Sequence, residues 1–274
     1  MPDNEKRIAL LIDADNAPAS KIDVILAELA RHGVANVRRA YGNWKSQHLN
    51  GWEKMLHTYA IRPIQQFAYS TGKNASDMAM VIDAMDLLFA HNLDGFAIVS
   101  SDADFTPLVM RLRNENMRVF GFGEEKTPLP FVKACSTFLY LEQLGAPEDA
   151  GQPKASRPKT ADALRRDASL VHLLRSAVTA TGDDDGWSNL GAVGSHIRNQ
   201  GSFDERNYGY RNLSSLIEAS ELFEIKRDGQ VVRIRERPKA RTTTKKPSDT
   251  GTAQPAENKR TPRKQAARRP PASG

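Results

Sequence analysis

Between residues 7 and 144 the chain alternates two patterns, and that alternation limits its fold more than any other feature. Short apolar runs predict strands over residues 8–12, 34–41, 61–69, 95–100, 117–123 and 138–141. Segments with apolar residues at helical spacing lie between them and predict helices over 19–31, 52–59, 76–91 and 104–116. In the first of these Ile22, Ile25, Leu26 and Leu29 share a face. The segment 76–91 is apolar on most faces and reads as a largely buried helix. Strands alternating with helices imply a mostly parallel sheet covered on both sides.

Residues 145–160 (GAPEDAGQPKASRPKT) break the pattern with Pro, Gly, Ser and charge. The expected organisation is a first domain over 1–144, a linker over 145–164, a small domain over 165–236 and a tail over 237–274. In the small domain, helices are predicted at 168–180, 187–200 and 210–220, followed by strands at 222–226 and 231–235. Asp228-Gly229 between those strands signals a hairpin. Three helices closed by a hairpin follow a winged-helix plan.

Charge is uneven along the chain. The net charge is +6, yet 11 Lys+Arg against 2 Asp+Glu fall after residue 236, leaving 28 against 31 before it. A basic, Pro- and Ala-rich tail lacks the apolar surface to fold and is expected to be disordered. Such a tail attracts polyanions such as RNA, although a purely solubilising role is equally open. No run of about 18 apolar residues predicts a membrane span, and the polar N-terminus leaves no room for a signal peptide. Cys135 is the single cysteine, which fits a reducing, cytoplasmic setting.

The first strand ends in Asp13-Ala14-Asp15-Asn16. In an open parallel sheet, sites form beyond the carboxyl ends of the strands. Asp102 and Asp104 follow the predicted strand at 95–100, and Asp77 begins a helix behind Ser76, a natural N-cap. Asp13, Asp77, Asp102 and Asp104 can therefore converge on one rim. Each alone also suits a turn or cap. Two like charges about 4 Å apart cost roughly 4 kcal/mol at an effective dielectric near 20. Several such pairs call for a cation, and oxygen-only donors favour Mg²⁺ or Mn²⁺. Asp83 and Asp86 read as surface or structural residues. Arg38, Arg39, Tyr41, Trp44 and Lys45 interleave charge and rings near a strand end, a pattern suited to single-stranded RNA. Packing of Tyr41 and Trp44 beneath a loop is at least as open. Lys73 is the cation best placed to neutralise a phosphate.

The stretches LLIDADNAP, RRAYGNW, KNASDMAMVIDAMDLL, FAIVSSDADFTPLVMRLR and VFGFG resemble an NYN domain, a branch of the PIN-like metal-dependent ribonucleases. The resemblance spans the first domain. It implies that Asp13, Asp77, Asp102 and Asp104 hold Mg²⁺ or Mn²⁺, that Asn16 orients a ligand or substrate, and that Ser101 supports the acidic loop. Family members often carry Gly between the Lys and Asp of the third motif, where this chain has Asn74-Ala75-Ser76. Residues 165–236, through Trp187, Leu190, VGSHI and FDERNYGYRNLSSLIEASELFEI, resemble a LOTUS (OST-HTH) domain. That implies RNA binding or protein contacts, including a homo-oligomer or protein partner. Arg206, Tyr208 and Arg211 are its candidates for RNA. Tyr208 and Gly209 could equally shape the turn into the third helix, the preferred reading for Gly209. A helix placed in a DNA major groove is a poor fit beside Asp183-Asp184-Asp185.

The resulting expectation is a metal-dependent endoribonuclease whose accessory domain and tail recruit RNA. Two rivals stand beside it. One is a non-catalytic RNA-binding adaptor with a vestigial acidic site. The other is a haloacid-dehalogenase-like phosphatase using Asp13 and Asp15, whose motif expects Thr or Val where Ala17 stands.

Overall fold

In a computed structural model that describes residues 5–67, 75–90, 92–145, 158–229 and 231–237, six parallel strands form one sheet. The elements run β1 (Arg7–Asp13), α1 (Ile22–Leu29), β2 (Val34–Gly42), α2 (Asn50–Thr58), β3 (Arg62–Gln65), α3 (Ala75–Ala90), β4 (Gly95–Val99), α4 (Thr106–Asn114), β5 (Arg118–Gly123), α5 (Leu129–Ala134) and β6 (Thr137–Tyr140). The strand order is β3-β2-β1-β4-β5-β6. It reverses direction between β1 and β4, the place where doubly wound folds keep their sites.

β1 is central and covered on both faces, which is why its Ile-Ala-Leu-Leu-Ile run is uninterrupted. Alternation still sorts the side chains. Ile8, Leu10 and Ile12 join the layer containing α1 and α2, with Trp52 beneath it. Ala9 and Leu11 join the opposite layer, against Met80 and Ala84 of α3 and Leu108 and Leu112 of α4. α3 departs from its expected burial. Met80, Ala84 and Leu87 are buried, but Met78, Ile82 and Phe89 are exposed, because the helix packs on the sheet by one face only. The short helix α5 has no counterpart among the predicted elements, and β3 ends at Gln65 rather than running to residue 69.

The second domain comprises α6 (Ala161–Arg166), α7 (Ala168–Thr181), β7 (Ser188–Asn189), α8 (Leu190–Gln200), α9 (Leu213–Ser220), β8 (Phe223–Asp228) and β9 (Val231–Glu236). Its sheet, ordered β7-β9-β8, is antiparallel. Asp167, Asn189 and Asn212 cap α7, α8 and α9 through their side chains. Leu174, Val193, Leu216, Phe223 and Ile234 form the core. The helices at 187–200 and 210–220 start later than predicted, at Leu190 and Leu213: β7 takes up Ser188–Asn189, and Asn212, in extended conformation, caps α9 after a short 3₁₀ turn (Glu205–Tyr208).

That 3₁₀ turn joins the two domains, which fall within one unit. Asn207 donates through Nδ2 to the Phe138 carbonyl at 2.8 Å and accepts the Tyr140 N–H at 3.1 Å, so it pairs with the edge strand β6 as another strand would. Arg206 reaches Glu28 of α1 through both terminal nitrogens, at 2.5 and 2.9 Å. Most of the expected linker and the basic tail beyond Arg237 lie outside the described residues.

Candidate metal centre

Asp13 closes β1 with the same face parity as Ala9 and Leu11, so its carboxylate emerges on the α3 side of the crevice. It is 1 % exposed. Its Oδ2 accepts hydrogen bonds from Asn16 Nδ2 at 3.0 Å and Ser100 Oγ at 2.9 Å. Its Oδ1 is equally buried and has no partner among the described residues. Burial raises the Asp13 pKa; hydrogen bonds from Asn16 and Ser100 oppose the rise, and the Asp15 charge adds to it.

Ser100 links the two central strand ends, because its hydroxyl also accepts the Asp102 N–H at 3.1 Å. Asp102 caps the turn that follows, its Oδ1 accepting the Asp104 N–H at 2.8 Å. Ser101 accepts the Glu124 N–H at 2.8 Å and so ties this acidic loop to the end of β5. Asp77 stands in the first turn of α3. Burial and then the charges of Asp13, Asp102, Asp15 and Asp104 push it up to about 6. Acids scattered over the sequence thus share one electrostatic neighbourhood.

Asp15 serves as a brace. Its Oδ2 accepts the Ser76 hydroxyl at 3.0 Å, and the Asn43 N–H approaches Oδ1 at 3.4 Å. A Cβ on Gly42 would meet Asp15 Oδ1 at 3.1 Å and Leu49 at 2.8 Å, so only glycine leaves room for that approach. The exposed Asp15 therefore connects the ends of β1 and β2 to the start of α3.

Among the described residues, no group of three or more His, Cys, Asp or Glu side chains is gathered closely enough to hold a metal ion as they stand. The donor chemistry nevertheless fits Mg²⁺ or Mn²⁺: every acid on the rim offers oxygen, and one buried oxygen lacks a donor. Asp13 is buried and held in place, Asp77 and Asp102 are half-buried, and Asp104 is exposed.

The expected RNA contacts fare differently. Arg38 gives its guanidinium to the carbonyls of Ala35 at 3.0 Å and Tyr59 at 2.9 Å. Tyr41 is fully buried and donates to Asp83, which also holds Arg39. Trp44 packs against the core and donates to the Ile64 carbonyl at 3.0 Å. Arg38, Arg39 and Tyr41 of β2 thus find their partners within the fold. Arg206 is engaged by Glu28 and Asp204, and Tyr208 packs in the second core, its phenol driven up by burial and by nearby Asp167 and Tyr140. Gly209, at φ 82°, does shape the turn. Arg211 is exposed. Lys73 lies outside the described residues. Phe67, just beyond β3, is 47 % exposed with Lys45 Nζ 5.0 Å from its ring centre, an exposure that its place in a predicted strand conceals.

An uncharacterized protein of Methanocaldococcus jannaschii is 30 % identical over 125 residues, 44 % of this chain and 49 % of that protein. The chain thus spans about half the length of that curated relative. A structure of unknown function from Vibrio parahaemolyticus overlays with a TM-score of 0.43 at 17 % identity, covering 51 % of this chain and 95 % of that one. MurG of Acinetobacter baumannii overlays at 0.34 and 11 % identity, over 70 % and 64 %. Residues 7–142 match the NYN domain and residues 165–235 the OST-HTH/LOTUS domain. The chain carries an NYN domain followed by an OST-HTH/LOTUS domain.

Proposed function

We propose that the protein is a divalent-metal-dependent endoribonuclease, with Asp13, Asp77, Asp102 and Asp104 as ligands for Mg²⁺ or Mn²⁺. The buried Oδ1 of Asp13 at the β1–β4 switch point, without a partner among the described residues, carries this reading. A pure binder of polyanions gains nothing from an acid rim, and the NYN family is a nuclease family.

When bound, the ion would activate water and offset charge on the phosphate. The chain's own residues set up that chemistry. Asn16 and Ser100 hold Asp13 through Oδ2 and leave its Oδ1 without a hydrogen bond among the described residues. Asp102 is oriented by the backbone of its own turn. Asp77, which burial and the neighbouring acids push up to about 6 in the metal-free protein, would give up its proton to serve as a ligand. Lys45 and the exposed Phe67 ring offer charge and a stacking face for a single-stranded substrate, in place of the inward-facing Tyr41 and Trp44.

The test is a Mn²⁺ titration of purified full-length protein with labelled single-stranded RNA and DNA, wild type against Asp13→Asn. RNA is expected to be cut internally by the wild type alone, with chelator abolishing the activity. Cleavage of equal rate in Asp13→Asn overturns the site.

A further inference from the structure

The second domain has a groove that the nuclease reading leaves unassigned. It has a volume of 510 Å³ and lies along the outer face of α7 and the end of α6. His172, Arg175, Ser176 and Thr179 recur at helical spacing on one side of α7, and Arg165 and Arg166 close one end. No acidic side chain lines it. We infer that this groove binds the phosphate backbone of single-stranded RNA, an inference that rests on the ribonuclease reading and names the surface that would hold its substrate.

The distribution of charge selects this face. In a winged-helix plan the third helix is the usual reader of nucleic acid, but α9, Leu213–Ser220, contains no Lys or Arg and carries Glu218. Arg206 and Tyr208 are consumed by the domain junction and the core. Arg165 and Arg166 of α6 and Arg175 of α7, by contrast, line a concave surface together. Their present partners are weak competitors. Arg165 pairs with Asp162 and Glu221, both more than half exposed, and Arg175 with the exposed Glu236. Exposed pairs of this kind are worth about 0–1 kcal/mol, whereas a phosphate accepts two parallel guanidinium bonds. Arg166 is exposed, with no ion-pair partner among the described residues. Ser176 and Thr179 add hydroxyl donors along the same stripe, about 17 Å from Ala168 to Thr179 at the helical rise. Guanidinium contacts to phosphate carry no sequence information, so the expected binding is tolerant of sequence.

The experiment measures fluorescence anisotropy of a labelled oligouridylate of about a dozen nucleotides with the full-length protein, in chelator to prevent cleavage, across a salt series. Charge reversal at Arg165, Arg166 and Arg175 is expected to weaken binding at least about tenfold and to reduce the log–log salt slope by about 2, near 0.7 for each lost phosphate contact on a single strand. Because these residues are partly exposed, melting by circular dichroism should show a folded variant. The matching Arg→Lys triple variant should keep most of the slope, since charge rather than packing is at stake. Wild-type binding with an unchanged slope in the reversal variant overturns the groove and leaves the nuclease reading standing. Preferential capture of a phosphorylated peptide over RNA, abolished by the same reversal, overturns RNA as the ligand. Absence of any RNA binding by the wild type overturns both.

Discussion

Two buried carboxylates of the first domain, Asp13 and Glu28, are 1 % and 6 % exposed, yet their surroundings push them in opposite directions. At Glu28 burial would raise the pKa, but hydrogen bonds with His32 and Arg206 and the charges of Arg206 and Arg31 outweigh it and hold the group at about 2. At Asp13 burial prevails over two neutral donors, other acids stand nearby, and one oxygen is unmatched. The lesson concerns partners rather than burial. A buried acid matched by cations has its charge balanced within the chain, whereas a buried acid among acids does not.

The strongest way to break the contrast is to neutralise Asp13. Asp13→Asn is expected to reduce Mn²⁺-dependent RNA cleavage at least about 100-fold in single-turnover assays, the scale of losing an electrostatic group at a reacting centre. Its metal-free melting temperature should hold or rise, because an uncompensated buried charge has been removed. Saturating Mn²⁺ should stabilise the wild type by about 2.7 kcal/mol at 100 times the dissociation constant and the variant by much less. A variant that loses stability along with activity would place Asp13 in the same class as Glu28.

Glu28→Gln should do the reverse. Arg206 would keep Asp204 but lose its bidentate partner across the domain junction, at a cost of about 2 kcal/mol in denaturant unfolding. Cleavage of a short RNA is expected to change far less than in Asp13→Asn.

The pH dependence has opposite slopes at the two places. The Glu28 pKa is depressed from 4.5 to about 2, so its contribution is complete above 4.5 and disappears as pH falls through 2. The Asp77 pKa is raised from 3.8 to about 6, so in chelator its contribution is complete below 3.8 and is lost as pH rises through 6. Metal affinity should climb over that same upper window as the ligand deprotonates. Urea midpoints between pH 2 and 7, with and without Mn²⁺, separate the two. A flat metal-free profile from pH 4 to 6 would mean that the acids on the rim do not sense one another.

The sequence made one side of this contrast readable and hid the other. Asp13 was visible because a strand covered on both faces is written as unbroken apolar residues, so a carboxylate at its end stands out. Asp102 and Asp77 were visible for the related reason that they sit at a strand end and a helix start. Glu28 has no such signal: on an amphipathic helix it reads as a solvated residue, and its partner Arg206 lies 178 residues away. Tyr41 was ambiguous for the same reason, since its partner Asp83 lies on α3, 42 residues on. Local pattern records which residue types follow one another, whereas the fate of a buried charge is decided by what the fold brings opposite it.

The smallest expected effect tests whether the junction around Glu28 extends beyond its ion pair. Asn207 makes two hydrogen bonds to β6 with neutral partners, one donated and one accepted. Asn207→Ala removes both and leaves the Phe138 carbonyl and the Tyr140 N–H of an edge strand open to water. Because those groups can be rehydrated, the loss should be near one ordinary hydrogen bond, about 1 kcal/mol, or about 3 °C in melting temperature. Hydrogen exchange should locate the change at Tyr140, whose amide protection falls while that of β1 is kept. Combined with Glu28→Gln, the two losses should exceed or fall short of their sum by at least about 0.5 kcal/mol, because Arg206 and Asn207 are neighbours in one short turn. Simple additivity would mean that the turn docks on α1 and β6 by two independent contacts, and Glu28 would then be a local ion pair rather than part of a single interdomain latch.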